Sequence, residues 1–223
     1  MITLYGIYNS RASRTLWLIE ELGLDFQHVP VIQKNRLESP DAPGARLNTG
    51  SAEFLKISPA GFIPTLQDGD LILHESLAIN GYLARKYGGP LAPVDLAEEA
   101  QMTMWSFYAA TSIEPPALEI TLQYRTGQQD TPVGRAIIAG AVDKLKRPLA
   151  VIEAHLAKAG HMVGNRFTVA DINVAECLRY AQLHPGVFDP YPALKGWLAE
   201  CQARPACATV AERRVAEAQS IML

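Results

Sequence analysis

The sequence contains little cysteine. Among its 223 residues only three are cysteines, Cys177, Cys201 and Cys207, and none lies in the first 87 positions. This argues against dithiol oxidoreductase chemistry in the N-terminal part, because that chemistry needs a cysteine pair. The number of cysteines is odd and their spacings match no zinc-binding pattern, which favours reduced thiols, a cytoplasmic location and no metal cofactor.

Long apolar runs and a strong excess of one charge are also missing. No apolar stretch approaches the ~20 residues of a membrane helix, so we expect no membrane partner. The first residues enter a strand pattern directly, without the basic and apolar segments of a signal peptide. The formal net charge of −3 offers no general attraction for nucleic acid. With 48% hydrophobic and 19% charged residues, the composition predicts an ordinary globular protein.

What the sequence does contain is a mixed strand and helix pattern at its N-terminal end. The predicted strands cover residues 2–8, 26–31, 65–67 and 71–73, and the predicted helices cover residues 11–22, 51–57 and 76–87. The first strand, helix and strand form a βαβ unit, so the pattern predicts a mixed sheet with one parallel pair. Asp68-Gly69-Asp70 is a hairpin signal. Residues 34–50 are polar and broken by proline and glycine, which is typical of a functional or mobile loop.

Strand patterns stop after this N-terminal part. Residues 88–94 are expected to form a linker, and residues 95–223 an all-helical domain. The predicted helices of that domain cover residues 97–125, 133–159, 169–182, 193–203 and 208–219. Thr168 and Asp171 fit a capping box at the start of one helix, which is a signal for folding rather than for function.

Three short motifs in the first domain have residue types suited to binding a thiol-containing peptide. A cis bond at Ile63-Pro64 would free the backbone before the strand to pair with a peptide. Glu75-Ser76 opens a helix, where N–H groups attract a carboxylate and Glu75 can pair with an ammonium group. The Ser10 hydroxyl, at the turn into the first helix, could donate to a thiolate. Taken singly, each motif is better explained as a trans proline or an ordinary helix N-cap.

Together these motifs resemble the soluble glutathione transferases over essentially the whole chain. The N-terminal matches are Leu4-Tyr5-Gly6, Ser10-Arg11-Ala12-Ser13-Arg14, Glu20-Glu21-Leu22-Gly23-Leu24, Ser58-Pro59-Ala60-Gly61-Phe62-Ile63-Pro64-Thr65-Leu66 and His74-Glu75-Ser76-Leu77-Ala78-Ile79. The C-terminal matches are Phe167-Thr168-Val169-Ala170-Asp171-Ile172, Tyr191-Pro192-Ala193-Leu194 and Arg204-Pro205-Ala206. The set is highly specific, although a single match could arise by chance.

The resemblance implies the glutathione transferase fold, with an α/β thioredoxin-like N-terminal domain at residues 1–87 and an all-α C-terminal domain. It implies an enzyme of bacterial-like, serine type that activates the glutathione thiol as a thiolate for attack on an apolar electrophile. It also implies glutathione as co-substrate, a homodimer and a detoxification role. Pro64 is then cis, the Ile63 backbone pairs with the cysteinyl part of glutathione, and Glu75 and Ser76 hold its γ-glutamyl end.

Phe62 departs from the family pattern. The family often has Lys or Gln at this position, able to reach the glycine carboxylate of glutathione, and a phenylalanine cannot make that contact. We expect Phe62 to border the glutathione site, with Lys34, Arg36 or Lys56 as candidates for the missing anchor. The loop at residues 34–50 is also longer and richer in proline than is usual in the family.

The thiol-activating group stays open at the level of sequence. Ser10 aligns best with the serine type, Tyr5 falls near the position of the tyrosine type, and an arrangement of Asn9, Arg11 or backbone groups is a further alternative. A cysteine mechanism is set aside, because Arg11 occupies the place of that cysteine. The electrophile is expected against the first long helix of the second domain. Its candidate contacts are Met104, Trp105, Tyr108 and Ser112, together with Tyr124.

Two other functions are compatible with the same motifs. A glutathione-dependent peroxidase, reductase or isomerase would use the same fold, because fold does not fix function. A glutathione-binding scaffold without catalysis is the other alternative.

Overall fold

The structure is a computed structural model that describes residues 1–221 of the chain, and it divides into two compact units. The first unit comprises Met1–Tyr87 together with the last helix, α9 (Pro205–Ile221). The second unit comprises Gly88–Arg204. No helix among the described residues is both long and apolar enough to cross a bilayer.

The first unit is built on a four-stranded mixed sheet. Its strands are β1 (Ile2–Tyr5), β2 (Phe26–Val29), β3 (Thr65–Asp68) and β4 (Leu71–His74), in the order β2-β1-β3-β4. β1 is parallel to β2 and antiparallel to β3, and β3 and β4 form the hairpin. The mixed sheet and its parallel pair confirm the sequence prediction. β1 ends three residues earlier than predicted, because the chain turns at Gly6 with φ of 145°.

Helices cover this sheet. They are α1 (Ala12–Leu22), α2 (Ala52–Ile57) and α3 (Ser76–Tyr87). Gly23 ends α1 in the left-handed conformation, with φ of 60°, as its position in the sequence predicts. The apolar faces of strands and helices meet in a core that includes the fully buried residues Leu4, Leu16, Trp17, Leu66, Ile79 and Leu83.

The position of α9 differs from the expected domain division, which assigned residues 95–223 to one helical domain. α9 packs against α1 and belongs to the first unit. Val210 of α9 is buried, and Arg213 forms an ion pair with Glu20 of α1. The helical pattern of α9 is clear in the sequence, but the pattern does not say which apolar surface the helix covers.

The loop at residues 34–50 is organised around one buried asparagine. A short 3-10 turn forms at Lys34–Arg36, and Ile32 pairs with Asn48 in an isolated bridge. The Asn48 side chain donates to the carbonyl oxygens of Pro40 and Arg46, both at 3.0 Å, and accepts from the N–H of Gly50 at 2.9 Å. The loop is irregular, as predicted, but its backbone groups are held by specific hydrogen bonds.

The second unit begins with two helices that the sequence predicted as one. α4 (Leu96–Tyr108) and α5 (Glu114–Arg125) are separated by a π-helical turn at Ala109–Ile113. Pro115 and Pro116 follow this turn and have no N–H group to donate to the preceding turn. The loss of these two helical hydrogen bonds explains why the α-helical pattern is interrupted here.

The remaining helices of the second unit agree with the predicted ones within a few residues. They are α6 (Pro132–Ala159), α7 (Val169–Leu178) and α8 (Pro192–Gln202). α7 is shorter than predicted, because a separate 3-10 turn forms at Ala181–Leu183. Every residue of α7 is buried, so α7 is the central helix of this unit.

The expected linker at residues 88–94 is held within the second unit. Arg166 donates to the carbonyl oxygens of Pro90 at 3.1 Å and Ala92 at 2.9 Å. Its guanidinium group also forms a bidentate pair with Glu98, with N–O distances of 2.8 and 2.6 Å. The hydrogen bonds from Arg166 lower the pKa of Glu98 to about 2, so this pair stays charged in all but strong acid.

The predicted capping box at Thr168 and Asp171 is present and extends further than the sequence indicated. The Asp171 carboxylate is fully buried and accepts from the N–H of Thr168 at 2.9 Å and from its hydroxyl at 3.0 Å. It also accepts from the N–H of Met162 at 3.0 Å and from Nε1 of Trp197 at 2.8 Å. One carboxylate therefore joins the start of α7, the preceding turn and α8.

Replacing Asp171 should destabilise the second unit strongly. Asp171→Ala leaves several buried donors without an acceptor, so we expect a loss of about 3 kcal/mol or more. Thermal unfolding should show this as a decrease in Tm of roughly 6–12 °C. Asp143→Ala, at an exposed ion pair with Lys146, serves as the control and should change Tm little. A similar small change for both variants would contradict the central role of Asp171.

Candidate functional site

The register of the sheet brings the three sequence motifs to one edge. Tyr5, the last residue of β1, pairs with Thr65, the first residue of β3. Thr65 also pairs with His74, the last residue of β4. The residues just beyond these pairs are therefore neighbours in space. They belong to the turn that leads to Ser10, to the Ile63-Pro64 segment and to the Glu75-Ser76 turn.

The Ile63-Pro64 peptide bond is cis, as the resemblance implied. Pro64 is buried, and the preceding carbonyl oxygen of Phe62 accepts from the Thr65 hydroxyl at 2.9 Å and from the Ser58 hydroxyl at 3.3 Å. These two hydroxyl groups fix the backbone that leads into the turn. The sequence motif contains both of them, but their shared acceptor is visible only in the structure.

Gly6 allows the turn after β1 to approach this segment closely. A Cβ atom at Gly6 would lie 2.8 Å from Cβ of Ala12, 3.5 Å from Cβ of Ile63 and 3.7 Å from Cα of Pro64. The first distance is shorter than any real contact between such atoms, and the φ of 145° also favours glycine. The absence of a side chain at Gly6 thus permits the close packing of α1 and the cis proline.

Glu75 lies exposed at the junction of β4 and α3 with a left-handed backbone, φ 67°. Such a conformation costs of order 1 kcal/mol or more for a residue other than glycine, and it is concentrated at functional sites. Ser76 follows as the first residue of α3 and is 3% exposed. The first N–H groups of α3 and the positive end of its dipole therefore point to the position next to Glu75.

A buried arginine lies directly behind Ser76. Arg14 of α1 is 2% exposed, and its Nη1 donates to the Ser76 hydroxyl oxygen at 3.1 Å. The Arg14 carbonyl oxygen accepts from Nδ2 of Asn80 of α3 at 3.2 Å. Arg14 thus joins α1 to the start of α3 and places a buried positive charge behind the first residue of that helix. The sequence motif included Arg14, but no signal in the sequence assigned it this contact.

Ser10 lies at the turn into α1, as expected, but its hydroxyl is hydrogen-bonded to other groups of that turn. Its hydroxyl donates to the carbonyl oxygen of Ile7 at 2.7 Å and accepts from the N–H of Ala12 at 3.0 Å. The residue is 7% exposed. Donation to a ligand thiolate therefore requires the hydroxyl hydrogen to leave Ile7, while the acceptor contact to the first residue of α1 can stay.

Tyr5, the alternative hydroxyl, is directed elsewhere. Its hydroxyl donates to Oε1 of Gln67 at 3.1 Å. Gln67 lies two residues further along β3 than Thr65, the direct partner of Tyr5, and so it lies away from the edge where the motifs meet. The Tyr5 ring contacts Phe54, with 6.0 Å between the ring centroids.

Phe62 is 62% exposed beside the cis proline. Of the three cations considered as partners for the glycyl carboxylate, two contact other groups. Nζ of Lys34 lies 2.8 Å from the Asp41 carboxylate. Nη1 of Arg36 donates to the carbonyl oxygen of Asn9 at 2.8 Å. Lys56 is exposed in the last turn of α2.

The expected electrophile contacts lie at the end of α4 and in the π-helical turn of the second unit. Met104 is 52% exposed, Tyr108 is half-buried, and Ser112 lies in the π-helical turn. Burial raises the pKa of Tyr108, so this hydroxyl stays protonated as a donor at neutral pH. Trp105 is only 7% exposed and packs on the rings of Tyr108 and His155, which makes it a supporting residue within the unit.

Comparison with known proteins agrees with this arrangement. Residues 4–91 match the model of the glutathione S-transferase N-terminal domain, and residues 118–205 match that of the glutathione S-transferase C-terminal domain. A rice protein, probable glutathione S-transferase GSTF2, is 32% identical over 216 residues, which cover 93% of this chain and 94% of that protein. The chain belongs to the glutathione S-transferase family.

Solved structures of glutathione S-transferases have the same fold. Glutathione S-transferase I from maize, in complex with an atrazine glutathione conjugate, has a TM-score of 0.80 at 30% identity, covering 96% of this chain and 97% of that one. A theta class glutathione S-transferase from Xanthomonas axonopodis pv. citri, with glutathione bound, has a TM-score of 0.73 at 30% identity, covering 92% and 94% of the two chains. The expected glutathione transferase fold is thereby confirmed.

A side chain at Gly6 should disturb the glutathione S-transferase site more than a side chain elsewhere in the same unit. Gly6→Ala forces the start of α1 away from the turn and strains the backbone at φ 145°, so we expect a loss of about 2 kcal/mol in stability and a several-fold higher KM for glutathione. Steady-state kinetics and thermal unfolding measure both effects. The control is Gly81→Ala, where a Cβ meets nothing within 4 Å. Equal behaviour of the two variants would show that the close approach of Gly6 to Ala12 has no importance.

Proposed function

We propose that this glutathione S-transferase is of the serine type: Ser10 stabilises the thiolate of bound glutathione, which then attacks an apolar electrophile. The observation that carries the proposal is the strand pairing of Thr65, which joins the turn of Ser10, the cis proline and the Glu75-Ser76 turn at one edge. Glutathione is the co-substrate, and residues 1–87 supply its binding groups.

Each part of glutathione has a proposed partner at this edge. The backbone at Ile63, before the cis proline, pairs with the cysteinyl part in the manner of an added strand. The start of α3, with Ser76 and Arg14 behind it, binds the γ-glutamyl carboxylate. The exposed Glu75 pairs with the γ-glutamyl ammonium group. Phe62 borders the glycyl end, for which Lys56 is the candidate cation that lies nearest in the sequence.

A hydrogen bond from Ser10, together with the start of α1, is sufficient to lower the pKa of the glutathione thiol into the neutral range. A free thiol has a pKa of about 8.5, and one pKa unit corresponds to about 1.4 kcal/mol. When the Ser10 hydroxyl exchanges the neutral Ile7 carbonyl for a thiolate, a hydrogen bond of ~0.5–1.5 kcal/mol becomes one of ~1.5–3. The start of α1 adds up to ~1 kcal/mol. The total of about 2 kcal/mol lowers the thiol pKa to roughly 7, without a general base.

The orientation of the two hydroxyl groups supports Ser10 over Tyr5. The Ser10 hydroxyl lies in the turn at the edge where the motifs meet, and its acceptor contact with Ala12 ties it to the start of α1. The Tyr5 hydroxyl is bonded to Gln67, away from that edge. Ser10 can therefore reach a ligand at the edge by a rotation of its hydroxyl, whereas Tyr5 would need a new side-chain conformation.

Further properties follow from the family and are part of the proposal. Met104, Tyr108 and Ser112, supported by Trp105, contact the electrophile and give it an apolar surface with two hydroxyl groups.

A homodimer accounts for the exposed apolar residues Leu71 and Ile72 on the edge strand β4. The reduced state of the three cysteines fits a reducing, cytoplasmic location. The Xanthomonas relative is the observation that supports the bacterial-like character, while the rice and maize relatives link the chain to plant enzymes.

Removal of the Ser10 hydroxyl should raise the pKa of the bound glutathione thiol. For Ser10→Ala we expect an increase of roughly one unit or more, because the charge-assisted hydrogen bond is lost. Thiolate absorbance titrated against pH measures this directly, and kcat/KM with a chromogenic electrophile at pH 6.5 should decrease about tenfold. Tyr5→Phe removes the competing hydroxyl and should leave both quantities nearly unchanged. The reverse pattern would assign activation to Tyr5, and binding without any turnover would identify a scaffold.

A polar side chain at position 62 should restore a contact with the glycyl carboxylate. We expect Phe62→Gln to increase the preference for glutathione over its glycyl ethyl ester about three- to tenfold, since an amide donor reaches a charged acceptor. The ratio of the two KM values measures this preference. Val215→Gln is the control, because Val215 is 60% exposed on α9 and the exchange likewise places a glutamine at an exposed apolar position. No change in the ratio for Phe62→Gln would place the glycyl end away from this side chain.

A further inference from the structure

The turn that carries Ser10 is bound by a carboxylate from the other end of the chain. Oε2 of Glu217, on α9, accepts from the N–H of Asn9 at 3.1 Å. The backbone N–H of Tyr8 also faces this carboxylate and acts to lower the pKa of Glu217. A backbone group one residue before Ser10 is thus bound by a side chain that lies 208 positions away in the sequence.

Arginine side chains bind the oxygen atoms of the same two residues. Nη1 of Arg36 donates to the Asn9 carbonyl oxygen at 2.8 Å, so both backbone groups of Asn9 are held. Nε of Arg214 donates to the Tyr8 carbonyl oxygen at 3.3 Å, and Nη1 of Arg213 donates to the Tyr8 hydroxyl at 3.1 Å. α9 therefore contributes three of the side chains that contact this turn.

The surroundings of Glu217 remove part of the water that would otherwise hydrate its carboxylate. The side chain is half-buried, and burial raises the pKa of Glu217 above its usual range. The N–H groups of Tyr8 and Asn9 and the nearby charges of His28 and Arg36 oppose this shift. Backbone N–H groups thus replace part of the hydrogen bonding that the carboxylate loses when it is buried.

We propose that Glu217 is a positioning residue for thiol activation, which acts on Ser10 through the backbone of Tyr8 and Asn9; this inference rests on the proposed role of Ser10. The Ser10 hydroxyl rotates between the Ile7 carbonyl and a ligand thiolate, so its direction depends on the conformation of residues 7–10. Glu217 fixes that conformation from outside the turn. Without it, the turn can relax around the Ser10–Ile7 hydrogen bond, and the hydroxyl donates less well to the thiolate.

The proposal predicts a change in activation rather than in affinity. For Glu217→Ala we expect the pKa of the bound glutathione thiol to rise by about half a unit to one unit. At pH 6.5 this corresponds to a roughly three- to tenfold lower kcat/KM, while the Kd for glutathione should change less than threefold. Glu217→Asp, which keeps the carboxylate on a shorter side chain, should recover part of the thiol pKa. Glu212→Gln, at an exposed position of the same helix, is the control for lost charge and should have no effect.

A double-mutant cycle with Ser10→Ala separates positioning from a merely structural role. If Glu217 acts through Ser10, Ser10→Ala/Glu217→Ala should have the same thiol pKa as Ser10→Ala alone. An additional shift in the double variant, or a loss of glutathione affinity with an unchanged thiol pKa, would overturn the proposal. If Glu217→Ala does not fold, Glu217→Gln, which keeps the size of the side chain, replaces it in the same cycle.

The wild-type titration distinguishes failure of this inference from failure of the proposed function. A bound thiol with an unshifted pKa in the wild type, or a Ser10→Ala variant with the wild-type value, would contradict the role of Ser10 itself. A lowered pKa that depends on Ser10 but is the same in all Glu217 variants would contradict only the positioning role of α9.

Discussion

Thr65 pairs with Tyr5 on one side and with His74 on the other, and the candidate site takes its geometry from this double pairing. Because β3 is antiparallel to both neighbours, its first residue lies beside the last residues of β1 and β4. The three chain segments that leave the sheet at this edge are then fixed relative to one another. A slip of one residue in either pairing would turn every side chain of a strand to the opposite face and expose its apolar residues. Burial of the core therefore fixes the register, and the register in turn fixes the geometry of the site.

Helix starts and buried charge provide the electrostatics of this edge. α1 begins just after Ser10 and α3 begins at Ser76, so two positive helix ends lie beside the sheet. Arg14 adds a buried guanidinium group that contacts Ser76. A negatively charged ligand at this edge would therefore meet helix ends and a guanidinium group that are already oriented, and only the Ser10 hydroxyl would have to rotate away from Ile7.

Much of this arrangement could be predicted from local sequence. Gly23, the Asp68-Gly69-Asp70 hairpin and the Thr168 capping box act within a few residues, and the corresponding elements are present. The prediction of a single helix at residues 97–125 was wrong, because Pro115 and Pro116 cannot donate hydrogen bonds to the preceding turn. The positions of Arg14 and Asp171 at the centre of hydrogen-bond networks could not be predicted, since their partners come from distant segments.

The contact between Glu217 and Asn9 is the extreme case, since 208 positions separate the two residues in the sequence. No periodicity or motif reports such a pair, because an acidic residue on an amphipathic helix ordinarily faces water. The observation that changes this interpretation is the grouping of α9 with the N-terminal unit. Because α9 lies on α1, its charged residues contact the turn that follows β1. A helix without a catalytic motif thereby binds the backbone that leads to Ser10.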